Sequence, residues 1–129
     1  MASVVADVGA SMRWLGGQIV EALTRLSVSG VTAHPGPMTG GALGARVCFA
    51  GLGPGEVLLR GRKLVGISQR RTRGGSRFQC MVHSRWEPDV LVRLLAPPRP
   101  AATELPPVAV LPAPIATALP GVLAALIVG

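Results

Sequence analysis

The chain has 129 residues, enough for one domain with a modest core. Apolar residues make up 49%, which excludes a chain disordered by composition, and only four are aromatic: Trp14, Phe49, Phe78 and Trp86. A formal charge of +7 favours anionic partners without choosing among them.

The N-terminal stretch lacks a charged region before an apolar core, so no signal peptide is read there. Residues 11–27 predict an amphipathic helix. Met12, Leu15, Ile19, Leu23 and Leu26 recur at spacings of three and four, with Ser11 as the expected N-cap. Gly16 and Gly17 weaken that helix or admit another backbone. Residues 34–45 read as loop. Arg46–Ala50 reads as a short strand, Gly51–Gly55 as a tight turn and Glu56–Leu59 as a strand.

Residues 63–70 and 76–83 predict a hairpin around Arg71–Gly75, whose glycines tolerate positive φ. Glu87–Leu95 predicts a short helix with acids in its first turn. Ala96–Pro114 reads as a Pro-rich linker, and Ile115–Val128 as a weak helix broken near Pro120. Leu105–Gly129 is free of charge, but its longest run without proline is Gly121–Gly129, too short to span a bilayer. The expected fold class is α+β, with a mostly antiparallel sheet flanked by helices. No membrane partner is expected, and the cytoplasm is the expected compartment.

Seven cations, Arg60, Arg62, Lys63, Arg70, Arg71, Arg73 and Arg77, crowd into one short segment. Only Phe78 offers a ring there for base stacking, so no nucleic-acid partner is expected. Cys48 and Cys80 do not form a CxxC pair, and no metal site is expected. Lys63 heads a strand and Gly66 follows three residues on, leaving backbone open to a ligand. The alternative is a solvated basic edge strand.

The string Cys48-Phe49, Glu56, Gly61-Arg62-Lys63, Leu64-Val65-Gly66, Ser68 and Gln69-Arg70 resembles the lipoate–protein ligase and octanoyltransferase family, which shares a fold group with biotin–protein ligases. Trp14-Leu15-Gly16 resembles the family's upstream helix, so the resemblance covers roughly residues 7–95. It implies a partial catalytic domain at 1–95, a linker at 96–114 and a C-terminal helix at 115–129. It also implies an ATP- and Mg²⁺-dependent activation of lipoate to lipoyl-adenylate, then transfer of the acyl group to a lysine of a lipoyl domain, with a cysteine-based transfer of octanoate as the alternative.

Lys63 matches the family's catalytic lysine, and Gly61, Arg62, Gly66, Ser68, Gln69 and Arg70 match ligand-binding positions. Cys48 matches the acyl-accepting cysteine of one octanoyltransferase branch, with a buried structural thiol as the alternative. The resemblance departs at Gln79-Cys80, where the family carries His-Gly. An upstream Arg-Arg-x-Gly-Gly-Gly motif is not matched. The expectation is therefore an incomplete, C-terminal portion of the domain, whether a truncated product, a misplaced start or one half of a split enzyme completed by a separate chain, or else a non-catalytic remnant or interaction module.

Overall fold

The computed structural model describes residues 7–47 and 49–128. Helix α1 (Val8–Arg25) begins at Asp7, whose carboxylate accepts a hydrogen bond from the Ala10 N–H at 3.1 Å. The cap thus lies four residues before the expected Ser11, whose hydroxyl donates back to the Val8 carbonyl at 2.8 Å. An acid satisfies orphan N–H groups and meets the positive end of the helix dipole. The apolar stripe buries Met12, Leu15, Ile19 and Leu23 as its spacing predicts.

Four antiparallel strands follow in sheet order: β1 (Val31–Ala33), β2 (Val57–Leu59), β3 (Arg62–Thr72) and β4 (Gly75–Val82). Arg60 and Gly61 join β2 to β3 with φ of 50° and 81°, the positive values that a two-residue hairpin with the sheet's own twist requires. A register shift between Val57 and Leu58 follows. The predicted β3–β4 hairpin forms, but its ladder runs from Val65↔Val82 to Thr72↔Gly75, so the turn narrows to Arg73-Gly74 from the expected Arg71–Gly75; it is the longest pairing in the sheet.

The expected strand at Arg46–Ala50 does not form. Helix α2 (Gly41–Arg46) occupies its start, and Phe49 and Ala50 lie in a turn. Thr39 and Leu52 bridge beneath them, where Gly40, Gly44 and Gly51 bring three backbones together. Apolar character there serves a buried turn: Val47 and Phe49 are both buried. Helix α3 (Pro88–Leu94) matches its predicted position.

The Pro-rich segment 96–114 contributes Leu105, Val108, Ala109 and Leu111 to the buried residues. It is tied to the sheet by hydrogen bonds from Ala109 N–H to the Lys63 carbonyl and from Leu111 N–H to the His83 carbonyl. Helix α4 (Ala113–Val128) runs through Pro120 unbroken and packs on α1. Its sixteen residues reach about 24 Å. Among the described residues, no helix is long and apolar enough to cross a membrane. The architecture is α+β with an antiparallel sheet and flanking helices.

Candidate functional site

The loop between α2 and β2 folds over the inner end of β3, and its anchor is Glu56. That residue is the sole acid between Val47 and Val82, and it is buried. A carboxylate out of water must be paired. Glu56 Oε1 accepts from the Gly53 N–H at 2.7 Å and faces Lys63 Nζ at 2.9 Å. Its Oε2 accepts from the Ile67 N–H at 2.6 Å. Lys63 Nζ also donates to the Gly51 carbonyl at 2.8 Å. One ion pair thereby ties the turn at 51–56 to two positions on β3.

Phe49 completes this junction. Its ring centroid lies 4.7 Å from Lys63 Nζ, a cation–π distance. A side chain at Gly66 would meet Phe49 carbons at 3.1 and 3.3 Å and Glu56 Oε2 at 3.4 Å, so glycine is what lets this ring approach the strand. From behind, α1 meets the same turn. A methyl on Gly16 would fall on the Gly55 carbonyl, and one on Gly55 would fall on the Met12 carbonyl. Gly16 therefore admits another backbone, one of the two roles predicted for the pair; Gly17 faces open space.

A cavity of about 610 Å³ opens beside the ion pair, within the usual range for small-molecule pockets. Lys63, Glu56 and Gly66 line it together with Met38, Phe49 and Ser68. The β4 side supplies Gln79, Cys80 and Met81. Burial pushes the Cys80 thiol above its ordinary pKa although part of its surface stays accessible, which disfavours the thiolate. Across Phe49 lies a second, apolar groove of about 640 Å³. There Phe49 and His83 meet edge to face at 4.5 Å, and His83 and Trp86 at 5.1 Å. Burial in this cluster holds the His83 imidazole below its usual pKa.

Of the residues expected to form a site, Lys63, Gly66 and Ser68 are brought together around the cavity. Gly61 and Arg62 are exposed in and beside the β2–β3 turn, away from it. Gln69 turns toward α1, where its Oε1 lies 3.3 Å from Ser11 Oγ. Arg70 is exposed toward the β3–β4 turn. Cys48 lies outside the described residues.

Sequence reasoning gave Glu56 no role at the site beyond its place in the family string. Its isolation among seven cations was the available signal. The shared part played by Phe49, His83 and Trp86 had none, because 34 residues separate the first two. Among the described residues, no group of three His, Cys, Asp or Glu side chains is placed to hold a metal.

No protein-family model, curated protein or solved structure matches the chain.

Proposed function

We propose that this chain binds a medium-chain acyl group, octanoyl or lipoyl, in the cavity beside Lys63. In this reading it serves a lipoate–protein ligase-like activity, on a biotin/lipoate protein ligase-like fold, that passes the acyl group to a lysine of a lipoyl domain. The observation that carries the reading is a buried cation at the wall of an apolar cavity. Lys63, Gly66 and Ser68 of the family-like string line that cavity, with Met38, Phe49 and Met81 as its apolar side chains.

An acyl chain would gain from leaving water there, by about 0.8 kcal/mol for each fully buried methylene. Lys63, held by Glu56 and the Gly51 carbonyl, fixes the positive end of an ion pair at the cavity wall. Such a charge favours a carboxyl oxygen that becomes more negative during acyl transfer.

The family resemblance brings ATP and Mg²⁺ with it, and the cavity does not fit the metal. Glu56 is its only carboxylate, and both oxygens are engaged by Gly53, Lys63 and Ile67. No step is therefore derived through the nucleotide or Mg²⁺. A cysteine-based transfer would rest on Cys48, since the raised pKa of Cys80 suits it poorly as a nucleophile.

A second reading has its own support. Glu56 is fully engaged within the chain, as expected of a staple that shapes a loop in a non-catalytic interaction module.

Calorimetric titration with octanoate and with lipoate tests the acyl reading. Saturable binding at one site is expected, and Ser68→Phe should abolish it by filling the mouth of the cavity while leaving the circular dichroism unchanged. Absence of binding to wild-type protein, or undiminished binding to S68F, would leave the staple as the better account.

A further inference from the structure

We infer that Phe49, with Met81 beside it, sets the length of acyl chain that the cavity accepts, because the two close it off from the apolar groove against α3. The inference rests on the acyl reading of the cavity and names the residues that decide its substrate.

Two chambers of similar size meet here, about 610 Å³ beside Lys63 and about 640 Å³ beside Trp86. Among the described residues, only Phe49 and Met81 line both. Phe49 is buried, and its ring has different neighbours on its two flanks. Toward the cavity it meets Lys63 Nζ at 4.7 Å and the bare backbone of Gly66. Toward the groove it meets the His83 ring at 4.5 Å and the Trp86 ring at 6.4 Å, centroid to centroid. Edge-to-face packing of this kind holds a ring in place. Met81 stands opposite Gly66 in the β3–β4 ladder, and paired residues share a face of the sheet. It therefore continues the wall from the rung that Phe49 packs upon.

The two chambers differ in what they offer the ends of a ligand. The cavity holds Lys63, which receives the carboxyl oxygen. In the groove the one Lys or Arg is Arg85, which is exposed and pairs with Glu87 at 3.3 Å. The rest of its lining is mostly apolar, with Val47, Val90, Leu91, Leu94 and Leu95. A carboxylate gains nothing by moving there. An acyl tail does, because each methylene gains by leaving water. With the wall in place, that gain stops at the end of the cavity.

A series of octanoate, decanoate, laurate and myristate tests this, read by calorimetry and by the indole N–H resonances of Trp86 and Trp14. For wild-type protein, affinity should stop rising at decanoate or before, and no acid should shift the Trp86 signal. Phe49→Ala should let affinity climb on to myristate, by up to about fourfold for each added methylene. Trp86 should then shift along a saturable curve and Trp14 should not. Met81→Ala should do the same to a smaller degree. Met81 is 45% exposed, so this variant keeps the test alive if F49A does not fold. Leu91→Phe, added to either variant, should restore the wild-type limit by filling the groove.

A wild-type affinity that rises on to myristate would overturn this inference and leave the acyl cavity standing. So would one chain-length profile shared by wild type, F49A and M81A, or a climb that survives L91F. Failure of all four acids to bind wild-type protein would overturn the acyl reading together with it.

Discussion

At its inner end β3 buries Lys63 against Glu56, and at its outer end it holds Arg70 in solvent opposite Arg77. Both cations lie on one strand, seven residues apart. The inner one is 7% exposed and locked by an acid, a carbonyl and a ring. The outer one faces a like charge. Burial makes the inner pair structural as well as chemical, because neither charge tolerates loss of the other. Exposure leaves the outer pair screened by solvent, at little cost to the fold.

The sharpest way to break this contrast is Glu56→Ala. It strands Lys63 and removes the acceptor for the Gly53 and Ile67 N–H groups, and should cost about 3–5 kcal/mol in urea unfolding. Next comes Gly16→Ala. In an ordinary helix the change stabilises, but here the methyl meets the Gly55 carbonyl, and a loss of about 1–3 kcal/mol is expected. Gly17→Ala, facing open space one residue on, should instead gain about 0.5–1 kcal/mol in the same assay. At the outer end, Arg70→Ser should stay within about 0.5 kcal/mol of wild type.

A pH series sharpens the picture around Phe49. The folded His83 takes up its proton at lower pH than the unfolded chain does, because burial penalises the charged ring. Below the ordinary value of 6.5 the unfolded state therefore binds more protons. Stability should rise with pH through that window and level off above it, and His83→Gln should flatten the rise.

Much of the fold is legible in the sequence because its signals are local. The stripe from Met12 to Leu23 marks α1, and Gly74-Gly75 between two runs marks the hairpin. The three-residue β1 is too short to carry a pattern. Val47 and Phe49 look like strand residues because burial in a turn selects the same apolar types. Pro120 looks like a break, yet α4 continues through it. At the site, Gly66 and Ser68 are legible together because they alternate on a strand, whereas Lys63, an odd three residues before Gly66, lies beyond the register shift opposite Val57 and Leu58, which spacing does not reveal. Glu56 depends on a contact across the turn, and Trp86 on packing from α3's N-terminal approach, neither of which spacing along the chain encodes.

The central claim is that an acyl chain occupies the cavity beside Lys63, and methionine methyl resonances test it most directly. Met38 and Met81 line that cavity, whereas Met12 sits in the core beneath α1. Titration with octanoate should shift the Met38 and Met81 methyl signals along one saturable curve and leave Met12 in place. Unmoved Met38 and Met81 signals at saturating octanoate would contradict the claim.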